Sequence, residues 1–122
     1  MSSYGYQHYK EQSVNTMTSG ELLILLYDEL LKRLTRAELS LEKKDYVTFE
    51  QSLQRSSDIV LYLKKTLDYK YEISMELKRM YDFFLYEFGR IKASRNSKFI
   101  AEVKPLITEL RDAYKEAQRL NS

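Results

Sequence analysis

Apolar residues recur every three or four positions in four separate stretches of similar length, which leaves this chain one economical way to fold. Leu22, Leu23, Leu26, Leu30, Leu34, Ala37 and Leu41 form the first stripe. Phe49, Leu53, Val60, Leu63 and Leu67 form the second, with Ser56 and Ser57 in its middle turn. Ile73, Leu77, Met80, Phe84, Phe88 and Ile91 make the third, and Phe99, Val103, Leu106, Leu110, Ala113, Ala117 and Leu120 the fourth. Such steps match a helical period of 3.6 residues. They predict helices over about 19–42, 46–68, 71–94 and 97–120, each roughly 35 Å long at 1.5 Å per residue. The links between them are only a few residues, so neighbours should be antiparallel. The predicted fold is all-α: an antiparallel up-down four-helix bundle over residues 18–122. Residues 1–17 lack the pattern and are read as an N-terminal arm, a short helical cap carrying Tyr4, Tyr6 and Tyr9.

Local signals agree with these limits. Thr18 or Ser19 can cap the first helix, and Thr18-Ser19-Gly20-Glu21 places Glu at the third helical position, a capping-box arrangement. Lys43 and Lys44 suit a helix C-terminus, and Asp45 can cap the next helix. Pro105 is the exception. It lacks the N–H that would bond the carbonyl of Ala101. The stripe continues upstream through Phe99 and Val103, which predicts a fourth helix kinked at Pro105 but not ended there.

Composition then removes function classes. The 122 residues include no Cys, which excludes disulfides, thiolate metal sites and Cys nucleophiles, and suits a cytoplasmic location. A single His, in the arm, excludes multi-histidine metal sites and the Glu-x-x-His repeat of a di-metal bundle. Three Gly and one Pro supply no phosphate-cradling loop. The longest unbroken apolar run, Leu22 to Tyr27, is too short to enter a membrane. Glu38 and Glu42 lie four apart, but both sit beside Lys and Arg on a solvated face. The expected protein is not an enzyme and uses no cofactor or metal.

Two features stay open to function. Arg90, Lys92, Arg95 and Lys98 form a basic stretch that could contact phosphate, although cations also collect at helix C-termini. The balance of 20 Lys and Arg against 18 Asp and Glu argues against a polyanion partner, so no nucleic acid is expected. More informative are apolar residues outside the stripes: Ile24, Leu25 and Leu39 on the first helix, Val47, Leu61 and Tyr62 on the second, and Met75, Phe83, Leu85 and Tyr86 on the third. A broad core face together with ordinary exposed apolar atoms would account for them. A surface that awaits a protein partner, a second copy of the chain, or the arm would account for all.

Several segments taken in order also resemble the flagellin-export chaperone family, FliS. YQHYKEQSV at 6–14 is similar to that family's Tyr-x-x-Tyr segment. SGELLILLYDELLKRL at 19–34 resembles its Ser-Pro-x-x-Leu…Leu-Tyr-Asp-Gly signature. LDYKYEIS at 67–74, MYDFF at 80–84 and ITELRDAYKE at 107–116 resemble later parts. Ser19 stands where the family usually has Pro, Glu29 where Gly is common, and Tyr114 in place of a usual Trp. The resemblance implies a cytoplasmic, ATP-independent chaperone. Its client would be the disordered C-terminal segment of flagellin, kept from early polymerisation and handed to the flagellar type III export apparatus. It implies that Tyr6 and Tyr9 belong to a cap over the client site. It also brings in an anti-sigma factor or a flagellin regulator as a further partner. A nucleic-acid-binding bundle and a structural homodimer are the rival readings.

Overall fold

The computed structural model describes residues 19–120, with the backbone alone of Ser19. Among the described residues there are four helices and no strand: α1 (Ser19–Glu42), α2 (Tyr46–Lys65), α3 (Ile73–Ser94) and α4 (Ser97–Leu120). α1 packs on α2 and α4, and α3 packs on the same two. Ion pairs set the sense of α1 against α4. Lys104 Nζ lies 2.7 Å from Glu38 Oε1, while Arg111 pairs with Asp28, so rising numbers on one helix meet falling numbers on the other. The all-α bundle read from the stripes is the fold observed.

Each turn has its own chemistry. α1 ends in a Schellman motif, with Asp45 N–H bonding Ser40 O at 2.8 Å and Lys44 N–H bonding Leu41 O at 3.0 Å. The left-handed position of that motif is filled by Lys44, at φ 58°, where glycine is usual. Asp45 then caps α2 through Thr48 N–H, 3.1 Å away, and these bonds hold its carboxyl below the usual range. Arg95 closes α3 from the same left-handed region, and Asn96 Oδ1 accepts from Lys98 N–H to cap α4. Between α2 and α3 both helices are shorter than the periodicity predicts. Asp68 Oδ1 accepts from Lys70 N–H and Asp68 O from Tyr71 N–H, a local turn that competes with helix over 66–72. α4 runs through Pro105 without a break, so residues 97–104 are helical. The N-cap at Thr18 and the arm, with Tyr6 and Tyr9, lie outside the described residues.

The core departs from the predicted stripes at both edges. Tyr27, Tyr81, Ile100 and Ile107 are fully enclosed, although none of them was counted in a stripe. Ile73, Ala113, Ala117 and Leu120 were counted and are exposed. The stripe on α4 is therefore rotated by about one residue from the sequence reading, and the ends of α3 and α4 near Ile73 and Leu120 extend past the layer that could cover them. The interior also holds small polar side chains. Ser52 and Ser56 face inward from α2, with Ser56 Oγ bonded back to Ser52 O at 2.9 Å.

Candidate client groove

Among the described residues, an apolar cavity lies at the end of the bundle where α1 begins and α2 ends. The cavity has a volume of about 610 Å³ and is bordered by Thr66, Leu67, Asp68 and Tyr71 of the link between α2 and α3. Leu22, Leu23 and Leu26 of α1 line it, with Leu63 and Leu67 from the α2 side and Leu77 of α3. Its rim carries two aromatic side chains and one aliphatic one: Tyr62, Tyr71 and Ile73 line it and are exposed. Tyr81 and Tyr114 line its inner wall.

At that wall three phenols from three helices meet. Tyr27 and Tyr81 hydroxyls are 2.5 Å apart, and the Tyr27 and Tyr114 rings stack with centroids 5.5 Å apart. Loss of solvent pushes all three phenols above their ordinary range, with Tyr27 and Tyr81 affected most. They stay neutral and give the cavity a fixed, uncharged wall.

A second depression of about 370 Å³ continues from the cavity along the seam of α1 and α2. It shares Leu22, Leu26 and Tyr62 with the cavity and adds Leu25 and Ile59. Further along lies a polar cleft of about 480 Å³, lined by Arg33, Arg36 and Arg55 among others. The three depressions form one track, apolar at its start and basic at its far end. Apolar groups that exclude water from a mobile segment, with polar groups that orient it, are what a peptide-binding groove requires.

Of the ten described residues picked out by the sequence, this track brings together Leu25 and Tyr62. Ile24 lies one turn before Asp28, which pairs with Arg111, so it flanks the α4 side of α1. Leu61 precedes by three residues Lys64, whose ammonium is 2.6 Å from Asp82 of α3. Leu39 and Val47 are exposed at the opposite end of the bundle, beside the first turn. Met75, Phe83 and Tyr86 are exposed on α3, while Leu85 packs against the core. Leu22, Leu26, Tyr71 and Ile73 were missed as site residues. The first two and Ile73 had been assigned to stripes, which carry no information about where a covering helix stops. The clustering of Tyr69 and Tyr71 in a turn was the available signal.

The basic stretch is largely committed to packing. Arg90 Nη1 lies 3.0 Å from the buried carboxylate of Glu87, and its guanidinium sits 4.1 Å from the Phe99 ring centroid. The Arg95 guanidinium lies 3.8 Å from the Tyr46 centroid, tying two turns together. No helix among the described residues is long and apolar enough to cross a membrane, and no group of three or more metal-ligating side chains occurs there.

The family profile described as flagellar protein FliS matches residues 2–121. This chain belongs to the FliS family. The flagellar secretion chaperone FliS of Bacillus subtilis (strain 168) is 32% identical over 112 residues, covering 92% of this chain and 84% of that protein. The flagellar secretion chaperone FliS of Salmonella typhimurium (strain LT2) is 28% identical over 109 residues, covering 87% of this chain and 81% of that one. A FliS bundle whose described residues leave an apolar track along α1 and α2 is the setting in which a client must be considered.

Proposed function

We infer that this FliS protein is a cytoplasmic, non-enzymatic export chaperone. It binds the C-terminal segment of flagellin, prevents premature polymerisation and delivers the client to the flagellar type III export apparatus. The observation that carries this reading is the apolar track over α1 and α2 in a chain that matches a flagellar chaperone family from end to end. Enclosing a segment there buries Leu22, Leu25, Leu26 and the rim tyrosines, and the binding free energy must exceed the cost of ordering that segment, about 2–5 kcal/mol. A flagellin regulator or an anti-sigma factor is a further partner in the same family-level expectation.

The arm enters this reading as a competitor. The described part of α1 starts at Ser19, and Leu22, one turn in, lines both apolar depressions, which places the beginning of that helix beside the cavity. In this reading, as the family resemblance implies, Tyr6 and Tyr9 would guard the client site in the free protein and be displaced or repacked by the client. Covering lowers apparent affinity by the fraction of time the site is occupied.

Titration calorimetry with the flagellin of the same bacterium tests the client. One-to-one binding with a negative heat-capacity change is expected, and it should be weakened by Tyr62→Ala and lost when flagellin lacks its C-terminal segment. Equal affinity for the truncated flagellin would overturn the reading. For the arm, deletion of residues 1–13 should reduce the solubility of the free protein. Unchanged solubility and unchanged flagellin binding would remove the arm from the mechanism.

A further inference from the structure

The far end of the track is basic in a way that folding does not use up. Arg33 is engaged with Glu29 of its own helix, through Nε and Nη2 at 2.9 Å. Arg36 and Arg55, one from each wall, make no ion pair among the described residues. Both line the 480 Å³ cleft, and both are exposed to a ligand approaching it. The acid that shares the cleft, Asp58, already accepts from Gln54 Nε2 at 2.9 Å. Asp45, whose carboxylate also feels Arg36, is turned into the helix cap. Two guanidinium groups thus face one cleft without a carboxylate of their own. Arginine is the side chain best suited to hold a carboxylate through two parallel hydrogen bonds.

This cleft is not separate from the apolar track, because Arg33, Arg55 and Asp58 line both it and the Leu25–Tyr62 groove. We propose that the α1/α2 track selects a client segment whose apolar anchors are followed by acidic side chains, with the acids seated between Arg36 and Arg55. The spacing follows from helix rise. Tyr62 and Arg55 are about 10 Å apart along α2, and Leu25 and Arg36 about 16 Å apart along α1, at 1.5 Å per residue. The acids therefore lie about two to three helical turns beyond the apolar anchors, or about three to five residues if the segment is extended. The charge fixes direction: the apolar end of the client meets the start of α1, and its acidic end points toward the first turn of the bundle. Apolar burial alone would tolerate either direction.

The proposal rests on the chaperone reading, and the test separates the two. Binding of the same bacterium's flagellin is measured for wild type, Arg36→Glu/Arg55→Glu, Arg36→Gln/Arg55→Gln, Tyr62→Ala, and a control with equal charge change on α3 and α4, outside the cleft lining, Lys92→Glu/Lys98→Glu. Thermal unfolding confirms that each variant folds. Charge reversal should weaken flagellin binding about tenfold or more near 0.05 M salt, mainly through the association rate, with the glutamine pair in between. The deficit should shrink as salt rises to about 0.5 M, while the control stays within about twofold of wild type. If Tyr62→Ala weakens binding but the reversed arginines do not, or if the control loses as much as they do, the acidic-end proposal is wrong and the chaperone reading stands. If wild type captures no flagellin at any salt, both fall together.

Discussion

Raising the pH should weaken this fold through the phenols at the cavity wall. Tyr27 and Tyr81 are essentially inaccessible to solvent, and both are held protonated far above the ordinary phenol range by desolvation first; Tyr81 raises Tyr27 further, whereas the hydrogen bond with Tyr27 offsets part of the rise at Tyr81. In the unfolded chain a tyrosine ionises near pH 10. The folded form therefore retains protons that the unfolded form releases, and the stabilisation is complete below about pH 10 and is lost as the pH rises above it. One unit above the unfolded value, the loss is about 1.4 kcal/mol per tyrosine, or about 3 kcal/mol for the pair. That is a large share of a typical 5–15 kcal/mol domain stability. The assay is urea unfolding followed by circular dichroism at about pH 8 and about pH 11, for wild type and for Tyr27→Phe/Tyr81→Phe. Alkaline rupture of ion pairs such as Lys104–Glu38 affects both proteins alike. The wild type should lose about 3 kcal/mol more than the double variant over that interval. At about pH 8 the double variant should be less damaged than the sum of the two single variants, because each single change strands the other hydroxyl of the 2.5 Å pair. Equal alkaline losses in the two proteins, or ionisation of all tyrosines near pH 10 while the fold persists, would refute the argument.

Three backbone predictions follow from single positions. Gly89 lies inside α3 with nothing within 4 Å of where a Cβ would stand, so Gly89→Ala should stabilise by about 0.5–1 kcal/mol, read as a raised denaturation midpoint. Lys44 occupies the left-handed place of the α1 Schellman motif, and Lys44→Gly should gain about 0.5–1 kcal/mol; a loss would show that the lysine side chain stabilises the turn. Pro105→Ala should restore a donor to the carbonyl of Ala101 and stabilise α4 by roughly 1–2 kcal/mol, after allowing for the greater freedom of the unfolded chain. A destabilised variant would mean that the packing of α4 requires the proline.

Secondary structure and its order were written in local chemistry. Four stripes of period 3.6, Asp45 three residues before Thr48, and links of a few residues are near-neighbour facts, so the helical segments and the all-α bundle were legible without coordinates. The passage of α4 through Pro105 was legible for the same reason, since the apolar period crosses it in step. What periodicity could not set was the rotation of each helix about its axis. Ile100 and Ile107 are buried where Phe99 and Leu106 had been favoured, because the third and fourth neighbours of an apolar residue compete for one face and only the opposing helix decides between them. Nor could a stripe disclose where its cover ends. Leu22, Leu26 and Ile73 have the pattern of core residues, yet the turn at Asp68–Tyr71 shortens α2 and α3 and leaves them around a cavity. The meeting of Tyr27, Tyr81 and Tyr114 from three helices, and of Arg36 with Arg55 across one cleft, joins positions far apart in the chain. Such meetings depend on packing angles and register, which are settled by the summed contacts of the whole bundle and by no local signal in the chain.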